Sequence, residues 1–478
     1  ELQDIYIVAN TRVGGLIGSQ GVAISTNSII SDITGNDVEV IGTADYTGGI
    51  LGYMYSSMIQ VKNIRLENSK ITGNNYVGGI LGYGGGQYLT SNNNQITGNS
   101  YVGGISGLTA YSNSIYLETN SCKIMATGSY IGGISGQNAS KLQYVNVINT
   151  DIESTSVNAQ NVGGINGSPA GYDLAYFQVK DTNIISKGTN VGGVLGYTFN
   201  GNTTRIGYIQ NVTVEGAENV GGAVGKSSYR SIRDMYVNAT VKATSNNAGG
   251  VVGYIENQNT TGANYLTYIA YSMVLDTTVE AHANAGGLVG DMDKELYKGF
   301  DLLFNNYVDA DIVSNDSYTS SLLIGGMATE NPYVKNTYVY RYSKINDQYV
   351  YKTDDVIEES QYLEREDLEK QSTYTGSIKL GTTTFSYNSL AEGKYPKIAD
   401  TQLYKPEIQE GVDLPVDPSD VSSNIELMNL EPEDNGEDTD NKPEEQENAT
   451  QGNTQEDANT QNGTDLQSAE EQNTEKQN

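Results

Sequence analysis

Apolar residues in this chain follow two alternating texts. In one they alternate with polar residues, as in Ile64-Arg65-Leu66, Tyr144-Val145-Asn146-Val147 and Val212-Thr213-Val214, the two-residue period of a half-buried strand. In the other, two residues, apolar in every copy apart from Thr47, bracket a pair of glycines. The pairs are Gly14-Gly15, Gly48-Gly49, Gly78-Gly79, Gly103-Gly104, Gly132-Gly133, Gly163-Gly164, Gly192-Gly193, Gly221-Gly222, Gly249-Gly250 and Gly286-Gly287, and a decayed copy, IGGMAT, lies at 324–329. Steps between first glycines are 34, 30, 25, 29, 31, 29, 29, 28, 37 and 39 residues. A period near thirty held over eleven copies defines a repeat protein.

Residue types assign that period to strands. The repeats are rich in Gly, Asn, Thr, Val, Ile and Tyr and lack Leu/Ala/Glu/Lys helical stretches, which favours short strands joined by tight turns. The expected fold is all-β, a β-solenoid of about eleven rungs. The residues before the pair (Val77, Val102, Ile131 and their equivalents) and after it (Ile80, Ile105, Ile134) form two apolar columns. They lie three apart, so an unbroken strand would point them to opposite faces. A bend or bulge at the glycines, resetting that parity, is expected to turn both inward. The next column, Ile17, Leu51, Leu81, Ser106, Ser135, Asn166, Leu195 and Val224, mixes polar with apolar and is expected at the rim.

Two positions before the first glycine the chain carries Tyr46, Tyr76, Tyr101 and Tyr130 in succession, then Asn161, Asn190, Asn219, Asn247 and Asn284. Like over like is what stacked rungs about 4.8 Å apart favour, because rings stack and amides hydrogen-bond along the column.

The form [Val/Ile/Ala]-Gly-Gly-[Ile/Val/Leu]-x-Gly at this spacing resembles the GLUG-type repeat of bacterial surface proteins, including the non-catalytic N-terminal region of streptococcal IgA1-protease-like zinc metalloproteases. The resemblance covers about residues 10 to 330. It extends to "YLEREDLEKQSTYTG" and "EGKYPKI", which resemble the unit that closes such arrays; where that unit commonly carries a tryptophan, Phe385 or Tyr387 stands here. What the resemblance implies is a surface-exposed scaffold, with any zinc motif of the His-Glu-x-x-His type in a separate domain downstream of Asn478. The chain opens at Glu1 without an initiating methionine or signal peptide, so a processed chain or excised fragment is expected.

Charge narrows the partners. With 58 acidic against 27 basic residues the net charge is −31, which disfavours nucleic acid or an anionic membrane, since both need a basic footprint. No run of eighteen apolar residues occurs, so no membrane insertion is expected. The segment Glu431 to Glu447 holds nine carboxylates and one lysine, and the expected organisation is repeats over 1–330, a Tyr-rich terminating unit over 331–403, and a Pro-containing linker with a disordered acidic tail over 404–478. Within the middle unit a hairpin is expected to turn near Asn346-Asp347, and a short helix over Tyr362 to Lys370. A single cysteine, Cys122, excludes an internal disulfide framework. The composition fits an exported, secreted or cell-wall-associated bacterial protein.

Chemistry-bearing residues are few. His282 is the only histidine, so a multi-histidine metal site cannot form; as a general base it would need a carboxylate such as Glu280 or Asp276, and a corner position is the plainer reading. Cys122 would need a positioned base to act as nucleophile and reads as a packed or rim residue. "DNGEDTD", 434–440, lacks the spaced glycine and distal glutamate of a calcium loop. The glycines recur in every rung, whereas a phosphate site needs one loop. Polysaccharide-cleaving solenoids gather acids with Arg or Lys on one face; here Asp151, Asp181 and Asp234 are scattered. No catalytic, cofactor or metal residue is assigned. The candidate ligand-binding residues are Tyr53, Tyr83, Tyr197 and Tyr254, which follow the closing glycine of a repeat; tyrosine can stack on a host glycan or anchor a host protein, or the rings can simply stack on one another.

Overall fold

The computed structural model describes residues 1–399 apart from 21–27, 111–113, 170–171, 200–202, 229, 257–266, 294–301, 316–318, 328–333 and 351–356. All of these belong to one compact unit, Glu1–Asn424; a second unit, Ile425–Asn478, and with it the acidic tail and the 434–440 stretch, lies outside the described residues.

Alternating apolar residues build a parallel β-solenoid. One coil shows the plan: strands Gln87–Asn92 and Gln95–Gly98 lie in a long sheet, Ser100–Gly103 in a second and Ser106–Thr109 in a third. Each strand pairs in parallel with its equivalent one repeat later, Leu89 with Leu117, Ile96 with Ile124, Val102 with Ile131 and Ser106 with Ser135. Among the described residues the second sheet stacks eleven strands and the third ten. The decayed copy keeps one bridge, Ile324 to Val289, and otherwise forms a 3-10 turn, Gly325–Met327.

Both apolar columns that flank the glycine pairs face inward. Val102, Ile105, Ile131, Ile134, Val162 and Ile165 are fully buried, and Leu16 in the first coil is the exposed exception. The following column is also buried, not at the rim: Leu51, Leu81, Ser106, Ser135, Asn166, Leu195 and Val224 are all inaccessible, and only Ile17 is half-buried. Ser106 Oγ donates to the Gly84 carbonyl at 2.9 Å and Ser135 Oγ to the Gln137 carbonyl, whereas the Asn166 side-chain amide is buried with no hydrogen-bond partner among the described residues.

The glycine pair is not where the left-handed backbone sits. Positive φ falls two residues earlier, on Tyr46, Tyr76, Tyr101 and Tyr130 (57 to 68°) and on Asn161, Asn190, Asn219, Asn247 and Asn284 (57 to 65°). That residue turns the chain into the second sheet, while the bend expected at the glycines is present at Gly104-Ile105, between the second sheet and the third, where glycine lets backbone approach backbone. A Cβ on Gly103 would stand 2.2 Å from the Ser106 carbonyl oxygen, and one on Gly104 2.1 Å from the Gly133 oxygen of the next coil. Hydrogen bonds to the next coil continue through the corner, from Ile105 N to Ile134 O at 3.0 Å and from Ser106 N to Ile134 O at 2.9 Å.

Two more left-handed columns mark the other corners. One runs Asp32, Asn63, Tyr88, Tyr116, Tyr144, Tyr176, Ile206 and Asp234; the other, between the two strands of the long sheet, runs Asp37, Asn68, Asn93, Ser121, Asn149, Asp181 and Asn211. A non-glycine residue here costs roughly 1–2 kcal/mol, least for Asn and Asp, which accounts for their frequency at these corners.

Parallel pairing continues past residue 330: Leu303 pairs with Val334, Tyr307 with Tyr338 and Val339 with Tyr362. The expected hairpin is present, Lys344–Ile345 antiparallel to Gln348–Tyr349, with Asn346 and Asp347 left-handed at φ 48° and 64°, as a two-residue type I′ turn requires. The helix expected over Tyr362 to Lys370 is shorter, because Tyr362–Leu363 is drawn into the sheet and only Arg365–Leu368 is helical.

Although Ile357 and Tyr362 join the core inside the coils, most of 357–399 packs on the outer face of the long sheet. The outward column there reads Arg65, Thr90, Glu118, Asn146 and Gln178 in early coils and Tyr208, Tyr236, Met273 and Tyr307 in later ones. The apolar part forms a second core with Leu368, Tyr374, Ile378, Leu380, Phe385, Tyr395 and Ile398, separate from the core inside the coils.

Candidate functional site

Three side-chain arrangements carry the chemistry of this molecule. The first is aromatic. Tyr46, Tyr76, Tyr101 and Tyr130 form a stack with centroids 4.8, 4.6 and 4.8 Å apart. Tyr88, Tyr116, Tyr144 and Tyr176 form another at 4.7, 5.0 and 4.8 Å, with the Arg205 guanidinium 5.9 Å from the last ring. Both repeat distances equal the inter-strand spacing, and stacking worth about 0.5–1.5 kcal/mol per pair offsets the left-handed backbone these residues carry. Burial, then the neighbouring phenols, raise the pKa of Tyr76, Tyr101 and Tyr144.

The four tyrosines singled out from sequence divide into two settings. Tyr53 and Tyr83 stack on each other at 4.8 Å, and Tyr53 meets Tyr46 edge-on at 4.8 Å; Arg12 lies 5.3 Å from the Tyr53 ring. Tyr197 and Tyr254 share a lysine instead, with Lys226 Nζ 5.8 and 5.9 Å from their centroids. Tyr197 donates to Glu256 at 3.3 Å and Tyr254 donates to Asp293, and all four rings are half-buried. A stacked ring shows solvent its edge and hydroxyl rather than its face, so the ladders offer a sugar few flat platforms. Tyr88, 48% exposed at the start of its stack, has the most open ring of these columns.

The second arrangement is an amide ladder. Asn190 donates to Asn161 at 3.0 Å, Asn219 to Asn190 at 3.0 Å, Asn247 to Asn219 at 2.9 Å and Asn284 to Asn247 at 2.8 Å, and Asn284 also donates to Asp291 at 3.1 Å. Cys122 belongs to a similar device at another corner. Its Sγ lies 3.3 Å from the Asn120 carbonyl oxygen, two residues back, the place taken by the hydroxyls of Ser69, Thr150 and Thr182 in other coils. Burial holds the thiol above the usual range, which suits a packed hydrogen-bonding group and not a nucleophile.

The third is a buried acid–phenol cluster under the 357–399 segment. Tyr307 and Tyr395 hydroxyls are 3.0 Å apart, Tyr395 donates to Asp309 Oδ2 at 3.1 Å, and Ser343 Oγ lies 3.3 Å from Asp309 Oδ1. Desolvation raises Asp309 from 3.8 to about 7, with Asp276 and Asp311 adding to the rise. Burial likewise pushes Tyr307, Tyr374 and Tyr395 well above the usual phenol range. The cluster joins the segment to the coils by groups that are neutral when protonated.

His282 is exposed, with Nδ1 3.1 Å from Asn315 Nδ2, while Glu280 is taken by Lys242 at 2.9 Å. Asp151 accepts from Asn183 at 2.9 Å, Asp181 from Asn211 at 2.7 Å, and Asp234 lies 3.6 Å from Arg233. These acids occupy three different columns and do not converge. Among the described residues no group of three His, Cys, Asp or Glu side chains could hold a metal, and no helix is long and apolar enough to cross a membrane.

Sequence reasoning missed the Tyr88 ladder, although each member precedes a core residue (Leu89, Leu117, Val145, Phe177) and that pairing was a usable signal. It also missed Arg230. Fully buried, Arg230 donates from Nε to Thr204 Oγ1 at 2.7 Å and from Nη2 to the Tyr172 carbonyl at 2.9 Å, and burial lowers its pKa to about 10. It ties successive coils together.

The fold class is thus a parallel β-solenoid whose polar and aromatic side chains are organised into columns. No protein-family model, curated protein or solved structure matches the chain.

Proposed function

We propose that this region is a non-catalytic scaffold of a secreted or wall-associated bacterial protein, a stiff spacer that presents surface, as the GLUG-type resemblance implies. The observation that carries this reading is the continuity of the columns. Coil after coil, backbone ladders, ring stacks and the five-residue Asn ladder bond each repeat to the next. Such one-dimensional coupling makes a rod whose stability is shared by neighbours. It is the arrangement a spacer requires, and it commits these side chains to one another. In the protease form of this reading the solenoid is the presentation module of an IgA1-protease-like enzyme.

Protease treatment of intact cells that make the protein tests the location. Solenoid peptides released without lysis are the expected result, and peptides recovered only after lysis would overturn it. A second reading, an adhesin that binds host glycan through a solenoid face, is favoured by one observation: an open polar cleft at one corner of the coils.

A further inference from the structure

That cleft, of about 400 Å³, opens where the long sheet turns at the left-handed residues Asn68, Asn93 and Ser121. Its volume falls in the range of small-ligand sites. Along one wall Lys70, Gln95 and Lys123 stand in direct register, one per coil. The two lysines are therefore two coils apart, about 9.6 Å at an inter-strand spacing of about 4.8 Å, and all three side chains are exposed. The opposite wall is amide: Asn93 donates to Asn68 at 2.6 Å and Asn68 to Asn36 at 2.7 Å. Eight residues line the cleft, and they include two lysines and no carboxylate, in a chain where acids outnumber bases 58 to 27.

Acids bracket the cleft at both ends. Glu39, in register with Lys70, lies 3.2 Å from its Nζ, and Asp151 is in register with Lys123. An anionic group is thus favoured over Gln95, between the lysines, and disfavoured one coil further in either direction. The lining is otherwise amide and hydroxyl, the complement of a polyhydroxylated ligand. Lys70 already shares its charge with Glu39, so the pair of lysines carries little more than one net positive charge, which a singly charged carboxylate balances better than a doubly charged phosphate.

We infer that this corner binds a carboxylate-bearing saccharide, its carboxylate between Lys70 and Lys123 and its hydroxyls on the Asn68, Asn93 and Gln95 amides. The inference deepens the surface-presentation reading and rests on it for biological meaning. Binding by the purified chain is measured independently of location, so the two can fail separately.

The test is calorimetric titration of the intact chain with 3′-sialyllactose and, separately, with a hyaluronan tetrasaccharide, which distinguish a sialate from a uronate source. Lactose and the carboxyl-reduced tetrasaccharide are the neutral counterparts. Millimolar or tighter binding of at least one acidic probe is expected, with the neutral forms silent. Loss of one charge-assisted contact in Lys70→Gln or Lys123→Gln should weaken it at least about tenfold, with an unchanged circular-dichroism spectrum and no effect of Lys187→Gln on another corner. The inference is overturned by absence of binding of both acidic probes at millimolar concentration, by equal binding of the neutral forms, or by full affinity in Lys70→Gln and Lys123→Gln.

Discussion

Replacing Asp309 by asparagine should remove a pH dependence that the structure builds into the docking of residues 357–399. In the folded chain its carboxyl is raised from 3.8 to about 7, chiefly by desolvation. At about 1.4 kcal/mol per pH unit this costs the ionised folded form roughly 4 kcal/mol, an upper bound because water reaches part of this residue. The folded pKa lies above the unfolded one, so between the two values the folded state holds the extra proton. Stability is then greatest below about pH 4, falls as pH rises towards 7, and levels off above it. Asp311, also raised by burial though countered by Lys344, adds to the same slope. Asparagine keeps an acceptor for the Tyr395 hydroxyl without a charge, so Asp309→Asn should flatten most of the decline and stabilise the docked segment at pH 8. Hydrogen exchange of amides in 357–399 between pH 5 and 8, corrected for intrinsic exchange, reads the effect locally, which is preferable in a repeat array where global two-state analysis is unsafe. An unchanged pH slope in the variant, or protection that increases with pH in the native chain, would refute the reasoning.

Three further outcomes are expected. Gly104→Ala, whose Cβ would meet the Gly133 carbonyl oxygen at 2.1 Å, should destabilise by roughly 3 kcal/mol or more, whereas Gly376→Ala, with nothing within 4 Å, should be close to neutral; thermal melts compare the two. Asn219→Ala loses two ladder hydrogen bonds and leaves at φ 57° a residue less tolerant of the left-handed region than asparagine, so a cost of about 2–4 kcal/mol is expected, and Asn219→Gly should recover the backbone share of it in chemical denaturation. Cys122→Ser, in a column already served by Ser69, Thr150 and Thr182, should change stability by less than about 1 kcal/mol, and alkylation of the native thiol should be far slower than in denaturant.

Repetition made the solenoid legible. A residue in a coil meets its equivalent one repeat later, so a contact between Tyr76 and Tyr101, or between Asn219 and Asn247, is written as like residues at a fixed offset from the glycine pair. Period, strand character, inward columns and both ladders at that corner follow from this translation alone. The hairpin at Asn346-Asp347 was equally readable, because a two-residue turn is a local event.

Tertiary structure decided what lacks a period. Which residue at the corner takes the left-handed backbone depends on how closely the next coil approaches, and this placed it on Tyr101 rather than on Gly103. Ser106 and Asn166 open strands of the third sheet and are buried there, which side-chain polarity alone argued against. The cleft beside Lys123 needs three coils stacked in register. Asp309 and Tyr395 stand 86 residues apart, and no spacing rule relates them; their cluster exists because a non-repeating segment covers one flank of the coils and takes a carboxyl and its phenol partners out of water.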